Sequence, residues 1–206
     1  MGDHGTASAT RRSRNPLAYA FAKYVSTGTV TEVEPVTRTI RRIRIVTDSP
    51  DPLPYTPGQH VRIQLNDPLS LSGLLRPAET LRSYTIWTYS VAERALELRA
   101  HLYNGDGIGV SWARTVCAGD PVTFWGPMGD FTLREAPYHL FIGEETATCA
   151  FGPMIRALGP DARVYALLES ESAEDELPLP GPHRPLRVHR RGAPAVCSPT
   201  LLAALP

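Results

Sequence analysis

A cation and an aromatic ring lie two positions apart at residues 82–87, whose sequence is Arg-Ser-Tyr-Thr-Ile-Trp. Tyrosine, threonine, isoleucine and tryptophan favour β-strands, so the stretch predicts a strand in which Arg82 and Tyr84 share one face. A guanidinium binds a phosphate through paired hydrogen bonds, and a tyrosine ring covers the face of a flat heterocycle. Thr85 would face the other way and reach the same ligand through its backbone or across a strand end. The stretch therefore predicts a site for a long ligand that is both anionic and aromatic, although the same pattern also occurs in ordinary strands.

A glycine-rich segment at residues 105–112 opens a short predicted helix. Gly107 and Gly109 would leave backbone N–H groups open at the helix start, and Ser111 adds a hydroxyl. These groups and the helix dipole favour an anion. One interpretation is therefore a phosphate-binding loop, and the other is a glycine-rich hairpin turn followed by a packing helix. Gly119 is expected to end the helix.

A third polar group belongs to the predicted strand at residues 95–102. Leucine and alanine alternate there with Glu97, Arg99 and His101, so these three side chains share a face. We expect His101 to point toward solvent or a ligand. The alternative is a structural or simply exposed histidine.

The elements that must position these residues are mostly strands. Strand-forming runs at regular spacing predict a small antiparallel barrel of about six strands with one helix. In that interpretation residues 126–129 form a tight turn and residues 131–133 close the set of strands.

After Pro137 the pattern changes to strand, helix, strand, with a helix from about residue 144 toward residue 158. This order is typical of a parallel α/β sheet. The predicted organisation is a flexible arm at 1–24, a barrel domain at 25–136 and a small, apparently incomplete α/β domain at 137–206.

Composition excludes several classes of function. The formal net charge is +0 at pH 7, so the chain as a whole has no electrostatic attraction for nucleic acid. No run approaches the roughly 20 apolar residues of a membrane span. The three cysteines lie far apart, without metal-ligand spacing, and their odd number argues against a disulfide framework. We therefore predict a cytoplasmic protein without a metal site.

Taken together, the order and spacing of these motifs resemble the siderophore-interacting proteins, which are ferric-siderophore reductases among the ferredoxin-reductase-like flavoproteins. The segments that carry the resemblance are residues 82–85, 107–113, 126–129 and 143–147. The resemblance implies an FAD-binding barrel followed by a nicotinamide-dinucleotide domain. It also implies hydride transfer from NADH or NADPH to FAD, and then single-electron transfer to a ferric siderophore or to a biosynthetic partner.

The resemblance also assigns roles to single residues. Arg82 would bind the FAD pyrophosphate, Tyr84 would lie against the isoalloxazine, and Thr85 would sit near its redox-active edge as the second catalytic residue. The full set of cofactor-binding residues that it implies is Arg82, Ser83, Tyr84, Thr85, His101, Gly107, Gly109, Val110, Ser111, Glu145, Thr146 and Ala147.

The chain departs from the family pattern at several positions. Trp87 replaces an arginine, Glu144 an aspartate and Cys149 a proline, while Pro153 is expected to break or restart the second-domain helix. The sequence also stops before a Trp-x-Ala-Gly-Glu-like segment that helps to hold the nicotinamide. A rival hypothesis follows, in which the barrel and cleft, with or without flavin, bind or act on a small molecule and dinucleotide reduction has been lost.

Overall fold

Period-two runs of β-branched residues build a closed barrel, seen in a computed structural model that describes residues 25–66, 80–179 and 181–205. The arm predicted at 1–24 and residues 67–79 lie outside the described residues. The six barrel strands are β1 (Val25–Pro35), β2 (Ile40–Thr47), β3 (His60–Gln64), β4 (Leu81–Ser90), β5 (Ala95–His101) and β6 (Pro121–Met128). They are antiparallel and close in the order β1-β2-β5-β4-β3-β6. The predicted six-stranded barrel is confirmed.

Alternation along β2 separates the barrel core from its surface. Ile43 and Ile45 are fully buried, together with Phe124 of β6. Arg42 points outward, where it pairs with Glu97 of β5 at 2.5 Å and with two glutamates of β1. The alternating arginines and isoleucines thus form a half-buried antiparallel strand.

Helix α1 (Ile108–Thr115) lies between β5 and β6 in the chain, packs Ala113 into the barrel core and also buries Val110. Its last carbonyls, those of Ala113 and Arg114, accept hydrogen bonds from Arg41 Nη1 at 2.6 and 2.7 Å. The prediction that Gly119 ends this helix is wrong. The buried Val116 leaves the helix in an extended conformation, and Gly119, with φ +98°, belongs to the turn before β6.

The predicted turn at residues 126–129 is also wrong for most of its length, because β6 continues through Gly126 and Pro127 to Met128. One extra residue of β6 is accommodated here: His60 pairs with Met128, whereas Arg62 pairs with Trp125. Such a bulge is where a strand tolerates proline, which has no N–H to donate. Residues 131–133 are irregular and form no closing strand.

The second sheet has three parallel strands in the order β7-β8-β9. They are β7 (His139–Gly143), β8 (Val164–Ser170) and β9 (Leu186–His189), and helix α2 (Glu145–Ala157) connects the first two. A short helix α3 (Pro199–Ala203) follows β9. The predicted parallel α/β arrangement is confirmed, while the domain boundary near residue 136 stays a prediction. Among the helices of the described ranges, none is long and apolar enough to cross a membrane.

Helix α2 runs without interruption through Pro153, contrary to prediction. A proline inside a helix removes one backbone hydrogen bond, here the one that the carbonyl of Cys149 would accept. Packing on both sides compensates, since Met154 and Ile155 are buried against the second sheet and Cys149 against the barrel.

The barrel meets α2 through Trp87 of β4, whose side chain is only 3% exposed. Its ring lies directly against Gly152, so that a Cβ on this residue would overlap the indole. The guanidinium groups of Arg99 and Arg156 lie over the same ring, 5.0 and 5.3 Å from its centroid. Gly152 is therefore the residue that allows helix and barrel to approach this closely.

The Gly152→Ala variant tests this contact. Overpacking a rigid site costs about 1–3 kcal/mol, and the better helix propensity of alanine returns less than about 1 kcal/mol. We expect the free energy of unfolding, measured in urea, to fall by about 1–2 kcal/mol. Gly159→Ala is the matched control, because a Cβ on Gly159 meets nothing within 4 Å. Equal stabilities of the two variants would contradict the packing argument.

Candidate functional site

A cavity of about 170 Å³ opens where β4 and β5 face the first turns of α2. It is lined by Ser83, Tyr84, Thr85, Arg99, His101, Tyr103, Thr146 and Cys149. Among the described residues, two larger depressions of about 590 and 490 Å³ lie against the second sheet, and a third of about 250 Å³ lies beside β3 and β6; none contains a predicted site residue. The chemistry of the lining, rather than cavity size, therefore selects the smaller cavity as the candidate site.

Strand β4 supplies the first wall. Arg82 and Tyr84 share a face, as predicted, because they pair with the buried Ile63 and Val61 of β3. The Tyr84 hydroxyl donates a 2.7 Å hydrogen bond to the carbonyl of Gly109, and its ring lies 5.1 Å from that of Trp112. Burial raises the pKa of Tyr84, so its hydroxyl stays protonated at neutral pH. Tyr84 thus fixes β4 to the start of α1.

The start of α1 lies against this part of β4. A Cβ on Gly109 would come within 3.0 Å of Arg82 Cγ and 3.2 Å of the Tyr84 hydroxyl oxygen. Gly107 precedes the helix, no side chain caps its first turn, and no acidic residue lies in that turn. A helix N-terminus without a side-chain cap or an acidic residue favours an anion. The structure therefore brings the glycine segment beside Arg82 and Tyr84, while the cofactor-binding roles of these residues stay predictions.

The other two residues of this segment differ in their surroundings. The side chain of Val110 is buried, whereas Ser111 is exposed. Arg114 holds the preceding loop by donating to the carbonyls of Gly105 and Tyr103 at 2.9 and 2.7 Å.

Strand β5 supplies the second wall through Arg99 and His101. Burial lowers the pKa of His101 despite the nearby carboxylates of Glu145 and Glu144, so the imidazole is neutral at neutral pH. Within the described ranges, two buried side-chain nitrogens have no hydrogen-bond partner, and they are His101 Nδ1 and Arg99 Nε. Unsatisfied buried polar atoms are rare in proteins and call for a specific explanation. Here both belong to the same cavity wall.

The start of α2 closes the cavity through Thr146. The carboxylate of Glu144 caps this helix by accepting from the N–H groups of Thr146 and Ala147 at 3.0 and 3.3 Å. Ala147 packs against Gly143 and is not part of the lining. Of the three residues predicted to border a cofactor from the second domain, only Thr146 reaches the cavity.

Glu145 points elsewhere. Its carboxylate, 2% exposed, accepts from both terminal nitrogens of Arg190, at 2.6 and 2.9 Å, and from the N–H of Glu171 at 2.9 Å. Burial alone would raise the pKa of Glu145, but the hydrogen bonds from Arg190 hold it below its usual range. The structure therefore gives Glu145 the task of joining α2 to the end of β9, and its predicted contact with a cofactor stays a prediction.

Three lining residues were not predicted as site residues: Arg99, Tyr103 and Cys149. Alternation along β5 could have indicated Arg99, which shares the polar face of His101. For Cys149 the sequence offered only its departure from the family pattern. Its thiol is protonated, because burial raises its pKa to about 12.

Comparisons with known proteins agree with this geometry. A family model for the siderophore-interacting FAD-binding domain matches residues 75–131, and one for siderophore-interacting proteins matches residues 136–205. Uncharacterized proteins of Mycobacterium tuberculosis and Mycobacterium bovis are 30% identical over 103 residues, 50% of this chain but only 36% of each relative. The match thus spans about a third of the length of these relatives.

Solved structures give the same picture. A siderophore utilization protein from T. fusca is 25% identical with a TM-score of 0.73, over 87% of this chain and 74% of that chain. The siderophore-interacting protein SipS from Aeromonas hydrophila is 26% identical with a TM-score of 0.66, over 83% and 69%. The Amycolatopsis cytochrome P450 reductase GcoB is 26% identical with a TM-score of 0.60, over 75% and 46%.

The Glu145–Arg190 pair yields a prediction about stability and pH. In Arg190→Met the buried carboxylate loses its cation, and we expect the free energy of unfolding at pH 7 to fall by about 3 kcal/mol. Because the pKa of Glu145 is depressed in the folded protein, the contribution of the pair is present above its unfolded pKa of about 4.3 and is lost as pH falls through the folded value. The deficit should therefore shrink in acid.

Denaturant unfolding from pH 7 to pH 3 measures this effect. Arg191→Met is the control, since Arg191 is the exposed neighbour and its side chain has no ion pair among the described residues. A deficit in Arg190→Met that did not change with pH would show that lost packing, rather than the unpaired carboxylate, causes the effect.

Proposed function

Because the chain belongs to the siderophore-interacting protein family, we propose that it is an FAD-dependent oxidoreductase. It would pass reducing equivalents from NADH or NADPH through FAD to a small-molecule acceptor, either a ferric siderophore or a biosynthetic intermediate, or to a partner in biosynthesis. One observation carries the proposal: Ser83, Tyr84 and Thr85 of β4 and His101 of β5 line one cavity beside α2, and Tyr84 also bonds to the glycine start of α1, which lies against Arg82. The cytoplasm remains the predicted compartment, on the argument from the cysteines.

The residues present fit FAD in three respects. Gly109 leaves the space that a Cβ would fill beside Arg82 and Tyr84. The uncapped first turn of α1 suits a pyrophosphate, and His101 Nδ1 is a buried polar atom that a ligand could satisfy after a turn of the ring. The cavity, at about 170 Å³, is smaller than usual ligand pockets of roughly 300–1,000 Å³. We therefore assign only the ring end of FAD to it, and the pyrophosphate to α1.

The chain would then supply binding and orientation, while FAD, when bound, supplies hydride acceptance and single-electron transfer. Arg82 would hold the pyrophosphate with the backbone of Gly107, Gly109 and Val110 and the hydroxyl of Ser111. Tyr84 presents a ring that its hydrogen bond to Gly109 already fixes in place. Ser83, Thr85 and Thr146 would border the ring system, where their hydroxyl groups offer hydrogen bonds.

The nicotinamide dinucleotide is proposed on the family likeness. Parallel α/β sheets bind dinucleotides at the carboxyl ends of their strands, with phosphates at a helix N-terminus. In this chain the N–H groups of Thr146 and Ala147 already donate to Glu144. A dinucleotide would therefore displace that carboxylate or place its phosphates elsewhere.

The same observation favours a second candidate function. A protein whose α2 is capped by its own carboxylate could keep flavin, or only the cleft, and bind or act on a small molecule without reduction by a dinucleotide. The two candidates differ in whether bound flavin responds to NADH or NADPH.

FAD titration of Arg82→Ala tests the cofactor site. Hydrogen bonds to a charged group contribute about 1.5–3 kcal/mol, so we expect FAD to bind about 10- to 100-fold more weakly. Arg94→Ala is the control, because Arg94 is exposed in the turn between β4 and β5, where its side chain donates to the carbonyl of Ser49 and not to a proposed cofactor-binding residue. Unchanged FAD affinity in Arg82→Ala would remove the main support for the assignment.

Absorbance of the flavin-loaded protein under anaerobic conditions separates the two candidates. Bands that bleach on adding NADPH or NADH would support the reductase. Bands that persist with both, yet bleach with dithionite, would support the second candidate. A protein that takes up no FAD would contradict both flavin-dependent forms of the proposal.

A further inference from the structure

Arg99 is the one lining residue of the cavity with a permanent charge. Its guanidinium lies over the Trp87 ring at 5.0 Å, while Nη1 donates to the carbonyl of Leu98 at 3.2 Å and reaches Glu97 at 3.3 Å. Its Nε has no partner within the described ranges. The side chain is thus held in place but is not fully satisfied.

The carboxylate that pairs with this guanidinium, that of Glu97, does not line the cavity. Glu97 is shared with Arg42, which it contacts more closely, at 2.5 Å, and which also pairs with Glu32 and Glu34 on the barrel surface. On the cavity side, the other titratable lining residues do not supply an anion: His101 is neutral and the Cys149 thiol is protonated.

The carboxylates of α2 are also engaged elsewhere. Glu144 caps the helix, and Glu145 is paired with Arg190. The wall of the cavity formed by β5 therefore presents the guanidinium of Arg99, and no carboxylate is among the lining residues.

Resting on the proposed function, we propose that Arg99 is a cofactor-contacting residue that makes the bound flavin easier to reduce. Reduced flavin carries negative charge on its ring system near neutral pH, whereas the oxidised ring is neutral. A guanidinium in a partly buried wall stabilises that charge more than water would, because the local dielectric constant is lower. Arg99 should therefore favour the reduced state of FAD over the oxidised state.

The contact with the Trp87 ring holds the Arg99 guanidinium in a fixed orientation. A planar guanidinium that lies over an indole ring is restricted in orientation. Arg156 makes a comparable contact with Trp87, at 5.3 Å, but does not line the cavity. The two arginines share the stacking partner and differ in access to the site.

The decisive measurement, made on the full chain, is the midpoint potential of the bound flavin. It gives the dissociation constant of reduced FAD divided by that of oxidised FAD. For Arg99→Met we expect this ratio to rise about tenfold, which for a two-electron couple lowers the midpoint potential by about 30 mV. Arg99→Lys keeps the charge and should restore at least half of the shift. Arg156→Met should leave the ratio unchanged.

Each outcome decides the matter. An unchanged ratio in Arg99→Met would overturn the assignment, because it would show that the charge of Arg99 does not act on the flavin. An equal shift in Arg156→Met would also overturn it, because it would show that the contact with Trp87, and not access to the cavity, causes the effect. If Arg99→Met does not fold, Arg99→Gln replaces it and the same ratio applies. A wild-type protein that binds no FAD refutes the proposed function itself, whereas normal FAD binding with an unchanged ratio refutes only the role of Arg99.

Discussion

The close packing of Trp87 on Gly152 determines how the barrel meets helix α2, and the candidate site depends on that contact. The indole is almost fully buried, and the absence of a Cβ on Gly152 lets the helix axis approach β4. Ile40, Cys149 and Leu177 complete the apolar cluster around it. Because cores are close-packed, a shift of α2 would propagate through this cluster. The cavity next to it therefore has its width fixed by apolar packing and not by its own polar lining.

Buried carboxylates elsewhere in the part of the chain after residue 137 accept hydrogen bonds, unlike the two unsatisfied nitrogens of the cavity wall. Asp175, which has no exposed surface, accepts from Arg38 Nη2 at 2.7 Å and from the hydroxyls of Ser172 and Thr39, and so ties the second unit to the β1–β2 turn. Glu169 accepts from the Ser198 hydroxyl and from a backbone N–H. An unpaired buried polar group costs free energy, so an accumulation of such groups in one place indicates a ligand better than any one of them. The two unsatisfied nitrogens on β5 have that character.

Local chemistry predicted the parts of the site that depend on strand periodicity or glycine. Period two placed Arg82 and Tyr84 on one face, and the need for a close approach explains Gly109. Long-range packing decided the rest. Pro153 inside α2 breaks a local rule and is tolerated only because neighbouring elements hold the helix, which no local pattern reveals. Glu145 turns away from the cavity because its partner comes from a segment 45 residues further along the chain. The sequence alone gives no sign of that pairing.

The two helix N-termini near the site differ in what they can bind, and this difference shows where an anion is favoured. The first turn of α1 has neither a side-chain cap nor an acidic residue, whereas that of α2 is neutralised by Glu144. An anion is therefore favoured at the barrel and not at α2. What α2 brings to the cavity is the flank of its first turns, a hydroxyl from Thr146 and a neutral thiol from Cys149. With the flavin ring placed as proposed, the positive charge beside it comes from the barrel, and among the lining residues Arg99 carries that charge.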